Sequence, residues 1–137
     1  MTDAERTVSE AISREGVHVV HVWAPWCDNS LNEHGPVWQG FAARHPDASL
    51  TFVTVWNEGA SGADRLGADG IAAAEVVVPG PKPEKADRRM TFLGLPVTWI
   101  PTTWVFNRGG LLAYAFNYGE LSADELARAI EAAGTDW

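Results

Sequence analysis

"VHVVHVWAPWCDNSLNEHGPVW", residues 17–38, decides how this chain is read. Its first seven residues are valines and a tryptophan broken only by His18 and His21, the β-rich pattern of a strand buried on both faces. The polar turn that follows carries Cys27, the only cysteine in the chain. Beyond it Leu31, Trp38 and Phe41 lie close to one helical face, which predicts a helix ending near His45-Pro46 and kinked at Pro36, whose ring cannot continue the hydrogen-bond ladder. "LTFVTVW", residues 50–56, is a second strand. Strand, helix and strand at this spacing predict parallel pairing through a right-handed crossover.

The flanks extend this unit. Thr2-Asp3-Ala4-Glu5 has capping-box spacing, Ala4, Val8, Ala11 and Ile12 form a helical stripe, and Gly16 stops it. Residues 57–94 are read as an insertion: a glycine-rich stretch, "IAAAEVVV" as a short helix running into a strand, and the proline-broken loop "PGPKPEKADRR". Trp99–Phe106 and Leu111–Tyr118 are two strands joined by "NRGG", a hairpin signal. Ser122 opens a last helix with Leu126, Ala129, Ile130 and Ala133 on its apolar face and Gly134 as its stop. The expectation is a single α/β domain over residues 1–137, with a central mixed sheet flanked by helices.

Composition narrows the function. The formal charge is −8, from 18 acidic and 10 basic residues. An acidic surface repels phosphate backbones, so no nucleic-acid partner is expected. No apolar run approaches the ~20 residues that cross a bilayer, and no membrane partner is expected. The acidic, amphipathic opening lacks the basic-then-apolar order of a signal peptide. With one cysteine and hence no internal disulfide, a cytoplasmic location is the expectation.

Two motifs carry a resemblance. "VWAPWCDNS" resembles the Trp-Ala-x-Trp-Cys-x-x-Cys stretch of the thioredoxin superfamily, with Ser30 in place of the second cysteine. "IPTTWVFNRGG" resembles that family's Ile-Pro-Thr strand and hairpin, and the C-terminal helix fits as well. The match covers residues 17–56 and 95–133. It implies a thioredoxin-like fold and a role for each matching residue. Cys27 sits at a helix N-terminus, Trp26 shields one side of its sulfur, and Pro101 is cis and faces it. Ile100 offers its backbone to an extended peptide, with Trp99 as a hydrophobic lip. His21 stands six residues before Cys27, where thioredoxins proper carry a buried aspartate, and Asp28-Asn29 replaces Gly-Pro.

A dithiol site attacks a disulfide with one sulfur and releases the product with the other. Ser30 cannot perform the second step, so the expected chemistry is monothiol exchange at Cys27, with Ser30 as hydrogen-bonding partner. Its partner is a protein or peptide thiol or disulfide, with glutathione as a co-reductant and no resident cofactor or metal. The helix end favours a thiolate and the charge of Asp28 opposes it by a similar amount, so strong activation is not expected. The alternative is a redox-inactive module that binds peptide in the same groove.

Other residues are read more plainly. His18 and His21 are three apart on a strand and point to opposite faces, so they cannot share a metal. His34 lies one helical turn beyond Ser30, within reach of the site, but no third group supports a Cys-His hydrolase. Lys82, Lys85, Arg88 and Arg89 gather in one loop, read first as solvated surface and second as an anion site. Trp104 is expected to pack on the sheet.

Overall fold

The computed structural model describes residues 1–135. Along the chain run α1 (Asp3–Ile12), β1 (Val17–Trp23), α2 (Asp28–Asn32), α3 (Phe41–Arg44), β2 (Ala48–Thr54), α4 (Ala63–Ala68), β3 (Ala74–Val77), β4 (Met90–Phe92), β5 (Leu95–Val97), β6 (Thr102–Phe106), β7 (Leu112–Asn117) and α5 (Ala123–Ala133). The main sheet has the order β3-β2-β1-β6-β7, and β4 and β5 form a separate hairpin. β1 pairs parallel with β2 and β2 with β3, while β6 runs antiparallel to both β1 and β7. The sheet is therefore mixed, with the wholly buried β1 at its centre.

Alternation along β1 divides the interior into two layers. Val19 and Trp23 face a core with Trp38, Phe41, Phe52 and Leu126. Val20 and Val22 face a second core with Val8, Phe92, Val97 and Trp104. Trp23, Trp38 and Phe52 are wholly buried, and burying a large apolar side chain contributes about 1.5–3 kcal/mol. Trp104 packs on the sheet beneath the hairpin, its ring stacked on Phe92 at 6.4 Å between centroids.

The expected caps form. Thr2 Oγ1 accepts the Glu5 N–H at 3.1 Å while Glu5 Oε1 accepts the Thr2 N–H at 3.0 Å. Glu5 Oε2 also accepts the Leu93 N–H at 2.7 Å, which ties α1 to the β4–β5 turn. Ser122 Oγ caps α5 by accepting the Glu125 N–H at 3.1 Å.

Several expectations need correction. The kinked helix after Cys27 is instead three pieces: α2, a π-helical turn at His34–Trp38, and α3. Pro36 has no N–H to give to the ladder, and Gly40, at φ 75°, separates the turn from α3. Within 57–94 the expected strand forms as β3, but it joins the main sheet as its edge beside β2 rather than lying in an insertion outside it. The helix falls at Ala63–Ala68, inside the glycine-rich stretch, and "IAA" is irregular. The β4–β5 hairpin has no counterpart in the sequence reading. Leu93 and Gly94 turn it with φ of 53° and 75°, the pair of positive values a tight two-residue turn requires. The last two strands also begin later than expected, at Thr102 and Leu112.

Candidate active site

β1 ends at Trp23, and Ala24-Pro25-Trp26 carries the chain to Cys27, the N-cap residue of α2. Cys27 donates its N–H to Ala24 O at 3.1 Å, and its carbonyl accepts the Leu31 N–H at 3.0 Å, so the helix fixes its backbone. The residue is 9% exposed. Its sulfur faces Ile100 O at 4.0 Å, and the Ile100-Pro101 peptide bond is cis. Cys27 thus reaches solvent only by one edge. That edge opens into a cleft of about 350 Å³ lined by Asn29, Trp56, Lys85, Arg88, Trp99 and Ile100, among others. Trp99 is 67% exposed and Ile100 is buried. Asp28 lies on the exposed side of the first turn of α2.

Trp26 is anchored rather than loose. Its indole N–H donates to Trp56 O at 2.9 Å. Lys82 Nζ lies 4.1 Å and the Arg88 guanidinium 4.7 Å from its ring, within range for cation–π attraction. The loop at 82–89 is therefore folded back toward the thiol. Behind Trp26, Trp23 donates to Thr54 Oγ1 at 3.0 Å, Thr54 donates to Glu75 Oε2 at 2.6 Å, and Glu75 Oε2 also accepts the Gly62 N–H at 2.7 Å. Burial opposes ionisation of Glu75, but these bonds and one from Ser61 outweigh it and hold its carboxyl below the usual range.

Ser30 does not do what the sequence suggests. It is fully buried, and its hydroxyl accepts the Ala24 N–H at 3.4 Å, while the Cys27 sulfur faces Ile100. Among the described residues the expected Ser30–Cys27 hydrogen bond is absent. Ser30 braces the turn from β1 into α2.

The residue missed most clearly is Glu33, at the C-terminal end of α2 and 6% exposed. Its Oε1 accepts the Trp38 indole N–H at 3.4 Å and lies 4.0 Å from His21 Nε2. Burial raises its carboxyl to about 7, against which the Trp38 bond acts. His21 is wholly buried, with Nδ1 2.8 Å from Thr103 Oγ1, its ring against Trp38 and Phe52, and no hydrogen-bond partner at Nε2. Burial, with His34 nearby, pushes its imidazole well below its ordinary range, so it is neutral. A carboxyl and an imidazole are thus enclosed together under α2. The only sequence signal is an acid at Glu33, three residues after Ser30 and hence on the same helix face.

His34 turns away from the thiol. Its Nδ1 lies 2.6 Å from Asp69 Oδ2, its ring packs on Trp23 and Phe52, and it does not line the Cys27 cleft. The reach assigned to it from helical spacing is therefore wrong, because the helix breaks into a π-turn at that residue. His18 contacts Ser49 Oγ and Arg14 O, far from His21 in bonding terms and on the other face of β1.

Comparison with known proteins places the fold. No protein-family model matches the chain, and no curated protein matches it in sequence. Solved structures do match. A DsbF homologue from Corynebacterium diphtheriae superposes with TM-score 0.67 at 20% identity, over 89% of this chain and 74% of that one. A secreted thiol-disulfide isomerase from Corynebacterium glutamicum gives 0.66 at 19%, over 92% and 74%. A thiol:disulfide interchange protein of the thioredoxin family from Chlorobium tepidum gives 0.66 at 15%, over 91% and 83%. The fold is thioredoxin-like.

Proposed function

We propose that this protein performs monothiol thiol-disulfide exchange through Cys27. The observation that carries the reading is the position of one sulfur at the rim of a cleft, held by a helix cap and faced by the Ile100 carbonyl. The fold it shares with proteins described as thiol-disulfide isomerases and interchange proteins supports the same chemistry. The Cys27 thiol loses its proton to water and attacks one sulfur of a partner's disulfide. A new S–S bond forms, the old one breaks, and the leaving thiolate takes up a proton, so Cys27 is oxidised as one partner sulfur is reduced. Ser30, buried and bonded to Ala24, cannot resolve the mixed disulfide. A second thiol must do so: glutathione, another small thiol, or a further cysteine of the partner. That requirement favours a reducing compartment such as the cytoplasm. The partner presents an extended segment along Trp99 and Ile100, in the cleft that Trp56 also lines.

The low exposure of Cys27 favours a second reading, a module that binds peptide in this cleft without exchange. Intact mass after incubation of the native protein with glutathione disulfide separates the two. Exchange predicts a single glutathione adduct, absent in Cys27→Ala. Protein that stays unmodified until denaturant is added supports the binding module instead.

A further inference from the structure

The walls of the Cys27 cleft have a charge that the rest of the chain does not share. Lys85, Arg88 and Arg89 line it, and no carboxylate does. Lys82 stands beside them over Trp26. None of these four cations forms an ion pair among the described residues. Trp26 accounts for the position of Lys82 and Arg88, and Arg88 also donates to Pro83 O at 3.4 Å. Nothing comparable occupies Lys85 or Arg89. In a chain of net charge −8, the cleft of the single thiol is thus lined by three cations, while Asp28, Glu84 and Asp87, their neighbours in sequence, do not line it.

The other flank differs. A second groove, about 400 Å³, is lined by Asn29, Trp99, Ile100, Asn117, Tyr118 and Glu120, with a carboxylate and no cation. Asn29, Trp99 and Ile100 belong to both grooves, so the exposed Trp99 ring is their shared wall. Two grooves of opposite charge therefore adjoin at Asn29, Trp99 and Ile100, and the cationic one holds Cys27. A tripeptide could occupy one of them, whereas a longer chain could run through both.

Resting on the reading of Cys27 as an exchanging thiol, we propose that its partner is a polypeptide cysteine flanked on one side by acidic residues, which seat against Lys85, Arg88 and Arg89. Charge complementarity across a partly desolvated cleft sets both encounter rate and orientation. The acidic side of the partner fixes which way the segment crosses Trp99.

The first measurement avoids redox chemistry. Decapeptides with serine in place of the cysteine and Asp-Glu, Gly-Ser or Lys-Lys on one flank are titrated against the protein, following tryptophan fluorescence. The acidic peptide is expected to bind about tenfold more tightly than the lysine one at low ionic strength, with the gap closing as salt shortens the Debye length. Lys85→Glu combined with Arg89→Glu, both on exposed side chains, is expected to invert the order. Equal binding of all three peptides, or an order that survives the charge reversal, overturns the proposal. The second measurement compares exchange rates of the acidic cysteine peptide, as its disulfide, with glutathione disulfide. A faster acidic peptide supports a polypeptide partner, and a faster glutathione overturns that part. If no disulfide reacts while the serine peptides keep the acidic preference, the exchange reading fails and the charge selection stands.

Discussion

Replacing Glu33 with glutamine should change how stability depends on pH, and the size of the change follows from where the side chain sits. The Glu33 carboxyl is 7% exposed, accepts only the Trp38 indole N–H, and faces His21 Nε2 at 4.0 Å. Burial raises it from 4.5 to about 7. Each pH unit of separation between folded and unfolded titration corresponds to about 1.4 kcal/mol, so the full effect is roughly 3 kcal/mol. The sign is fixed by which state holds the proton. Below pH 4.5 both states are protonated and nothing is lost. Between 4.5 and 7 the unfolded chain ionises while the folded chain keeps its proton, so wild-type stability falls as pH rises through that window and levels off above it. The glutamine amide of the variant cannot ionise and can still accept from Trp38. His21 pulls the other way, since its lowered imidazole makes stability fall as pH drops below 6.5. Burial and His34 cause that shift, so it is common to both proteins and cancels on subtraction. Urea unfolding of both proteins from about pH 4 to 8 should therefore show Glu33→Gln gaining on wild type by roughly 3 kcal/mol across the window, about 10 °C in Tm for a chain of this size. Parallel stability curves would show that Glu33 ionises freely in the folded protein and that the enclosed pair does not exist.

Three further outcomes follow from the packing. Gly62→Ala would set its Cβ 2.5 Å from Trp23 Cζ2 and 2.9 Å from Pro25 Cγ, so it should destabilise by about 1–3 kcal/mol in urea and slow exchange at Cys27 by moving the turn. Phe92→Ala empties the stacked contact with Trp104 and should cost about 3–5 kcal/mol, read by the same titration. Ser30→Cys places a second sulfur one helical turn from Cys27 and should raise insulin-disulfide reduction from background to multiple turnovers. No gain would mean that the geometry, as well as the missing sulfur, blocks turnover.

The parts of the fold written in strong local patterns were legible from sequence. β1 is dominated by valine because both its faces are buried, with only His18 and His21 as polar members, and the Thr2 and Ser122 caps rest on hydrogen bonds within one turn. The β4–β5 hairpin was not legible: three-residue strands have no measurable period, and their pairing is fixed by Phe92 reaching Trp104 from a distance in sequence. The π-turn escaped for a related reason. Pro36 announces a break, but the form of the break depends on seating Val37 and Trp38 in the core. At the site, Cys27, Trp99 and Ile100 line one cleft, while Trp26 is held beside it by Trp56 O and the cations of the 82–89 loop. Glu33 was passed over because an acid on a helix is ordinarily solvated, and only the sheet above it shows that this one is enclosed. The hydroxyl chemistry of Ser30 suggests a bond to the Cys27 sulfur, whereas the buried turn gives it the Ala24 N–H.

The central claim is that Cys27 can exchange while the protein remains folded, and an aromatic disulfide such as DTNB tests it directly. The rate of thiol release is measured against reagent concentration in native buffer and compared with the unfolding rate from denaturant jumps. A rate that rises in proportion to reagent and exceeds global unfolding is the predicted result. A rate that saturates at the unfolding rate would mean that the sulfur is reached only when the chain opens, and the exchange mechanism would fail.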